Sequence, residues 1–156
     1  IYTTGNTLSL HDALPILQNG RIAPYKPLLL LIALSALKRG GSRIGYDLAR
    51  PLFDRLRDRH APGWTGGIEQ PFGRLARDAD GTLWTLHFDP MIDIYASSGA
   101  LSHAAAARAG LEGGFPLPWL RAFAVDPCLA DRLAQRLAHE AFGTQAEALL
   151  DDLALR

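Results

Sequence analysis

The sequence predicts a mainly α-helical protein with one small β-hairpin. Apolar residues recur at helical spacing through most of the chain, and the pair Asp80-Gly81, flanked by alternating apolar residues, marks the hairpin. The 156 residues suit one domain, and 48% hydrophobic with 21% charged residues is typical of a chain that buries its own core. We expect a core domain at residues 17–95 and a helical extension of it at residues 96–156.

The first residues are treated apart from the rest. Residues 7–16 read TLSLHDALPI, which is the translation of a common sequencing-library adapter, and residues 1–3 fit the upstream part of the same adapter. We therefore expect residues 1–16 to be an artefact of sequence assembly, and we exclude them from the functional argument as one would exclude a tag. The native chain is then expected to begin before Leu17 and to be truncated here.

The strongest predicted element is a buried helix that begins at Pro27. Proline suits the first helical position, and residues 28–37 are apolar on nearly every face. Lys38 and Arg39 favour the carboxyl end of the helix dipole, and Gly40 ends the helix. The apolar run is too short to cross a bilayer, so we expect a core helix and no membrane partner.

The next segment predicts a short strand at residues 43–46, a second helix, and a loop at residues 60–67. Pro51 marks the start of the second helix or a kink in it. The expected buried stripe of this helix is Leu48, Leu52, Phe53 and Leu56. The arginines expected to point away from the core are Arg50, Arg55, Arg57 and Arg59.

A short helix from Pro71 and the hairpin at Asp80-Gly81, with a strand at residues 83–86, complete the predicted core. Helix, strand, helix, short helix and hairpin, in this order, is the plan of a winged helix-turn-helix. The predicted fold class is therefore mainly α with a small β-hairpin, built as a winged helix-turn-helix-like core plus a C-terminal helical subdomain.

The helical extension is predicted as four helices separated by glycine and proline. An alanine-rich helix at residues 102–109 is followed by a break at residues 113–116 and a short helix at residues 117–123. Asp126 then caps a longer helix, and a last helix follows at residues 144–153. The expected buried stripe of the longer helix is Leu129, Leu133, Leu137 and Phe142.

Charge is divided unevenly along a chain whose formal net charge is zero. Residues 21–77 contain eleven basic and four acidic residues, a balance of +7, whereas residues 78–156 contain five basic and eleven acidic residues, a balance of −6. This asymmetry favours a basic surface that faces a polyanion such as DNA, with Arg21, Arg43 and Arg77 as expected contacts to its backbone. The alternative is that these arginines are solvated beside local carboxylates.

We find no catalytic centre in the sequence. The five histidines lack metal-ligand spacing, and His139-Glu140 lacks the second histidine that a zinc-protease motif requires. Cys128, the one cysteine, excludes a disulfide framework, fits a reducing cytoplasmic setting, and is expected to be a buried structural thiol. We expect no metal or cofactor in this chain.

Two segments suggest binding. Residues 23–27 (APYKP) place Tyr25 and Lys26 at the amino end of the buried helix, where backbone N–H groups attract anions. Residues 70–74 (QPFGR) combine a proline ring, an aromatic residue and the guanidinium of Arg74, which can fork onto phosphate. The alternatives are prolines that only set the path of the chain and a phenylalanine that only fills the core.

These segments resemble the N-terminal domain of bacterial HNH restriction endonucleases, in particular the sulfur-binding domain of phosphorothioate-dependent enzymes. The family pattern reads A-P-H-K-P followed by leucines, and residues 23–31 match it except at Tyr25. The resemblance covers essentially all of residues 17–156. Further matches are Gln70-Pro71-Phe72, Arg74-Leu75, Asp80-Gly81, Trp84, Gly113-Gly114-Phe115-Pro116, Asp126-Pro127 and Leu129.

The resemblance implies recognition of DNA that carries sulfur in place of one non-bridging phosphate oxygen. Carried over, Pro71 of the segment Gln70-Pro71-Phe72 would form the floor of an apolar sulfur pocket, with Lys26 and Arg74 as basic neighbours. Tyr25 stands where histidine is usual, and Gln70 stands where tyrosine is usual. Because a glutamine amide can serve an oxygen, we expect this chain to reject plain phosphate less strictly.

The same resemblance implies a parent HNH endonuclease that would need a divalent metal. No His-Asn-His pattern occurs before Arg156, so we expect a fragment that binds double-stranded DNA and lacks the nuclease domain. A homodimer of the full-length protein is left open. The alternatives are a winged-helix transcriptional regulator that binds unmodified DNA and a helical module that binds a protein partner.

Overall fold

The computed structural model describes residues 23–77 and 82–156. These residues are mainly helical, which confirms the predicted class, and they include a small antiparallel sheet. The helices are α1 (Tyr25–Lys38), α2 (Tyr46–His60), α3 (Glu69–Arg74), α4 (His103–Ala109), α5 (Leu117–Val125), α6 (Pro127–Phe142) and α7 (Ala146–Asp152), with a 3₁₀ turn at Gly143–Gln145. The strands are β1 (Ile44–Gly45), β2 (Thr85–His87) and β3 (Glu112–Gly114).

Helix α1 lies at the centre of the core. Every side chain from Leu28 to Leu34 is at most 4% exposed, and α2, α3 and α6 all pack on this helix. Burial on all sides is what a helix without a polar face requires. The helix begins two residues before the predicted Pro27, because the N–H of Leu28 already donates to the carbonyl of Pro24 at 2.9 Å.

A buried polar contact ties the end of α1 to the C-terminal residues. The hydroxyl of Ser35 donates to the carbonyl of Leu153 at 2.7 Å, and Arg39 donates to the same hydroxyl oxygen at 2.7 Å. Ser35 is 1% exposed, so an unpaired hydroxyl there would cost about 1–3 kcal/mol. This pairing fixes the last described residues against the central helix.

Two further side-chain contacts join distant helices. Buried His60 of α2 lies 2.6 Å from the Asp152 carboxylate and 3.1 Å from the Gln145 side-chain oxygen. Burial raises the pKa of the Tyr46 hydroxyl, and the nearby Glu69 carboxylate adds to the shift. The hydroxyl therefore keeps its proton, and it forms a hydrogen bond with Nδ1 of His103 in α4 at 2.7 Å.

The sheet differs from the predicted hairpin in its pairing. Its order is β1–β3–β2, with Ile44 opposite Gly113 and Thr85 opposite Gly114. The strand predicted at residues 83–86 is found as β2, but its partner is β3, and residues 69–74 form helix α3 rather than a strand. The turn itself, Asp80-Gly81, lies outside the described residues, so the winged-helix interpretation stays a prediction.

Strand β3 occupies the segment where a helix break was predicted, and its glycines allow close packing. A Cβ atom on Gly113 would lie 2.6 Å from the Trp84 ring and 2.9 Å from the Phe72 ring. Those two rings meet edge-on with centroids 5.5 Å apart, and the Trp84 indole N–H donates to the carbonyl of Phe72 at 3.1 Å. Only a residue without a side chain lets this aromatic pair rest on the strand.

Three predicted burial states are wrong. Leu48 is 84% exposed, because α2 begins at Tyr46 and its core face follows Tyr46, Ala49, Phe53 and Leu56. The Arg57 side chain, expected to point away, is only 13% exposed and donates to the carbonyl of Gly66 at 2.9 Å. Cys128 is exposed rather than buried, since it lies in the first turn of α6.

The predicted cap and core stripe of the longest C-terminal helix are confirmed. The Asp126 carboxylate accepts from the amide N–H of Cys128 at 3.1 Å at the start of α6. The buried positions of α6 include Leu129, Leu133, Leu137 and Phe142. In the parts of the chain that the structure describes, none of the helices has the length and apolar character needed to cross a membrane.

We predict that Gly113→Ala destabilises the fold, because the added methyl group overlaps the Trp84 and Phe72 rings. The expected loss in the free energy of unfolding is about 1–3 kcal/mol, measured by urea denaturation. Gly45→Ala is the matched control, since nothing lies within 4 Å of the added Cβ and its φ of −75° suits alanine. Equal losses for the two variants would contradict the packing role of Gly113.

Candidate nucleic-acid interface

A cavity of about 530 Å³ lies between the first turn of α1, helix α3 and the segment that precedes α4. Its lining is mostly polar and charged on the helical side. The segment before α4 contributes small residues and one aromatic ring. The lining residues are Lys26, Glu69, Gln70, Gly73, Arg74, Arg77, Tyr95, Ser98, Gly99, Ala100 and Leu101.

The charge of the cavity is positive. Lys26, Arg74 and Arg77 face it, and Glu69 is the acidic residue among the described lining residues. Among the residues that the structure describes, no carboxylate oxygen lies within 4 Å of Arg74 or Arg77. A concave surface with this excess of positive charge attracts anions and concentrates them.

Several other basic residues of the N-terminal half are held by carboxylates. Three of these ion pairs reach into residues 78–156, the acidic part of the chain, so the basic and acidic parts contact each other. The pairs are Lys38 with Asp131 at 2.9 Å, Arg43 with Glu112 at 3.6 Å, Arg57 with Asp54 at 3.1 Å and with Asp58 at 3.0 Å, and Arg59 with Asp152 at 3.4 Å.

Helix α3 turns its polar residues to the cavity because its apolar residues are fixed in the core. Phe72 is fully buried and meets the Tyr46 ring edge-on with centroids 5.1 Å apart. Pro71 is buried beside it. With this face anchored, Gln70 and Arg74, on either side of it in the helix, are exposed at the cavity.

The wall opposite α3 is a tight turn, residues 95–101, that sequence reasoning missed. Tyr95 and Leu101 pair as an isolated antiparallel bridge, and the N–H of Ala96 donates to the carbonyl of Ala100 at 2.7 Å. Gly99 closes the turn with a φ of +89°, which favours glycine. The sequence here, YASSGAL, carries no alternating apolar pattern, and the glycine was its one available signal.

The turn packs against α3 where α3 has no side chain. A Cβ atom on Gly73 would lie 3.3 Å from Cγ of Leu101 and 3.7 Å from the Tyr95 ring. On the other side of the cavity mouth, the Arg77 guanidinium lies over the same ring, 5.2 Å from its centroid. The turn therefore contacts both Gly73 of α3 and Arg77, one of the cations that line the cavity.

Tyr25 holds a loop and is absent from the described lining of the cavity. Its hydroxyl accepts a hydrogen bond from the N–H of Gly66 at 2.8 Å, and its ring meets the Trp64 ring edge-on at 5.6 Å. A Cβ atom on Gly66 would lie 2.6 Å from the Tyr25 ring. Tyr25 thus sets the position of the loop between α2 and α3.

Only some of the other predicted site residues lie at the cavity. Of the predicted site residues, Lys26, Gln70, Arg74 and Arg77 meet at the cavity, whereas Pro71 and Phe72 are buried in α3 and are not among its described lining residues. The list of lining residues does not include Arg43, whose side chain lies by Glu112 on the sheet. There Arg43 adds to burial in lowering the pKa of His87. Arg21 lies outside the described residues.

Comparison with protein families identifies one that matches almost the whole chain. The model described as "ScoMcrA-like, DNA sulfur-binding domain" matches residues 9–156, which confirms the resemblance found in the sequence. The sulfur binding domain of ScoMcrA, solved with phosphorothioated DNA, has a TM-score of 0.75 at 20% identity, over 96% of this chain and 97% of that chain. The corresponding SprMcrA domain, also solved with phosphorothioated DNA, has a TM-score of 0.69 at 21% identity, over 98% of both chains.

A larger solved structure contains the same fold as one part. It is the Type IV phosphorothioation-dependent restriction endonuclease ScoMcrA, with a TM-score of 0.74 at 20% identity. The match covers 94% of this chain but only 28% of that one, so this chain spans little more than a quarter of that enzyme. No curated protein sequence matches the chain.

We predict that Tyr25→Phe destabilises the fold by about 1 kcal/mol, because the N–H of Gly66 loses its partner. The free energy of unfolding in urea measures the effect. Tyr95→Phe is the matched control, since its hydroxyl makes no hydrogen bond with a described residue, and we expect a change within about 0.5 kcal/mol. A Tyr25→Phe loss no larger than that of the control would contradict the anchoring role.

Proposed function

This chain belongs to the ScoMcrA-like DNA sulfur-binding domain family, and we propose that it binds double-stranded DNA in which sulfur replaces a non-bridging phosphate oxygen. One observation carries the proposal to this chain's own residues. Lys26 of the APYKP segment and Gln70 and Arg74 of the QPFGR segment, 44 residues or more apart in sequence, line one cavity. These are the segments on which the family resemblance depends.

Affinity in the proposed site comes from charge. Lys26, Arg74 and Arg77 supply cations at one concave surface, and contacts of this kind provide most of the sequence-independent attraction to a DNA backbone. Arg74 offers a planar fork of donors that fits two phosphate oxygens, whereas Lys26 acts as a point charge. Phosphate contacts position the duplex, and they do not distinguish sulfur from oxygen by themselves.

We assign selectivity for sulfur to apolar contact at Pro71, which is buried in α3 and which the sulfur has to reach past the residues that line the cavity. Sulfur is larger and more weakly hydrated than oxygen, so burial of a few tens of Å² of its surface against apolar atoms there is worth roughly 1 kcal/mol. An oxygen in the same place would lose water without compensation. Gln70 weakens this penalty, because its amide N–H groups can donate to the oxygen.

We further propose that the full-length protein is a restriction endonuclease of the HNH class, in which this domain recognises the mark and a separate metal-dependent domain cuts. The family assignment and the size of the ScoMcrA enzyme relative to this chain support the proposal. We also propose that residues 17–95 form a winged helix-turn-helix-like core. The strand order β1–β3–β2 replaces the hairpin that the sequence predicted.

The proposed function is tested with two duplexes of one sequence, one with a single phosphorothioate linkage in each strand and one without. We expect tighter binding to the sulfur-containing duplex, and we expect Gln70→Tyr to increase the ratio of the two affinities, because it removes the amide that serves oxygen. Fluorescence anisotropy titrations give both dissociation constants. If wild type and Gln70→Tyr each bind the two duplexes with equal affinity, sulfur recognition is rejected. If neither duplex is bound, DNA binding is rejected.

Arg74→Ala tests the origin of affinity. We predict about tenfold weaker binding of both duplexes, because one charge-assisted contact to phosphate is lost, with the affinity ratio unchanged. The slope of log affinity against log salt should become smaller by about one. Arg121→Ala, which removes an exposed arginine of α5 outside the described cavity lining, is the matched control. If both variants weaken binding equally, the cavity is not the site of contact.

A further inference from the structure

Arg77 makes an unusual contact for a cation at the edge of a charged cavity. Its guanidinium carbon lies over the ring of Tyr95, 5.2 Å from the centroid. Both residues line the cavity, and Arg77 is exposed. Attraction between a cation and an aromatic ring face holds the charge in place, and none of the carboxylates in residues 23–77 and 82–156 pairs with it.

As far as the described residues are concerned, this contact leaves the donors of Arg77 to a ligand. Among the described residues, no carboxylate or carbonyl oxygen accepts a hydrogen bond from the Arg77 side chain. A free arginine side chain loses up to about 2 kcal/mol of rotamer entropy when it is ordered on a ligand. A side chain that already rests on a ring loses less, so preorganisation increases affinity.

The position of the Tyr95 ring is set by the protein and not by Arg77. The N–H of Tyr95 donates to the Asp93 carboxylate at 3.1 Å, and Tyr95 pairs with Leu101 across the turn. The ring packs next to Gly73 of α3, where an added Cβ would lie 3.7 Å away. The ring is therefore fixed to the helix that also carries Arg74.

We propose that Tyr95 is a positioning residue of the DNA site, which holds the Arg77 guanidinium at the cavity mouth so that it meets a backbone phosphate in a fixed geometry. The inference rests on the proposed function and adds to it the turn at residues 95–101 as the second wall of the site. Helix α3 supplies Arg74 from one side, and the turn orients Arg77, which follows α3, from the other.

A double-mutant cycle tests the proposal with wild type, Tyr95→Leu, Arg77→Ala and the double variant on the phosphorothioated duplex. We expect Tyr95→Leu to weaken binding about two- to fivefold through loss of the cation–ring attraction, and to have no further effect when Arg77 is already alanine. Tyr95→Phe keeps the ring face and should bind within twofold of wild type. Urea denaturation of each variant tests whether the fold is retained.

The outcomes separate this inference from the function on which it rests. If Tyr95→Leu weakens binding equally in the presence and absence of Arg77, or if it has no effect, Tyr95 does not act through Arg77 and the inference is wrong. If Tyr95→Phe binds as weakly as Tyr95→Leu, the hydroxyl rather than the ring face matters, and the inference is also wrong. If neither Arg74→Ala nor Arg77→Ala changes DNA affinity, the proposed site itself is wrong.

Discussion

The burial of the apolar run of α1, residues 27–35, is the constraint on which the rest of the structure depends. A helix with apolar residues on every face can exist in water only if other elements cover all of it. Helices α2, α3 and α6 do so, and their positions follow from this requirement. Burial becomes partial at the two ends of α1, and at its amino end, Tyr25 and Lys26, the first turn meets the loop before α3 and the cavity. The apolar run thus determines where the cation of Lys26 stands.

The same packing determines which residues α3 presents to the cavity. Helix α3 has only six residues, too few to be stable alone, so its orientation comes from the burial of Phe72 against Tyr46 and Trp84. Trp84 in turn needs the bare backbone of Gly113 to reach that position. A sheet of three very short strands therefore contributes to the proposed site through the aromatic residues that it supports. None of its described residues lines the cavity.

The sequence predicted the elements whose signals are local and missed those that depend on distant pairing. Neighbouring residues are enough to predict the apolar run of α1, the cap at Asp126 and the buried stripe of α6, and all three are confirmed. Glycines are poor strand formers, so Gly113 was taken as part of a break, although its partners at Ile44 and Leu86 make it a strand. Among the cavity residues, the basic segments were found through composition and family resemblance. The turn at residues 95–101 has neither signal, because it joins the site only through its contacts with Gly73 of α3 and with Arg77.

The distribution of carboxylates bears on how the proposed site could discriminate. A genome offers unmodified sites in large excess, so a reader of a rare mark works by the ratio of two affinities rather than by affinity alone. Ion pairs at Lys38, Arg43 and Arg59 reduce the general attraction to DNA, and Glu69 adds a negative charge inside the cavity. These carboxylates weaken binding to both kinds of backbone, because both carry the same charge. The difference between sulfur and oxygen has to arise at uncharged groups, and in the proposed site those are the ring of Pro71 and the amide of Gln70. Since the amide favours oxygen, the whole preference for sulfur in the proposed site has to come from apolar contact at Pro71, which is buried beside the cavity.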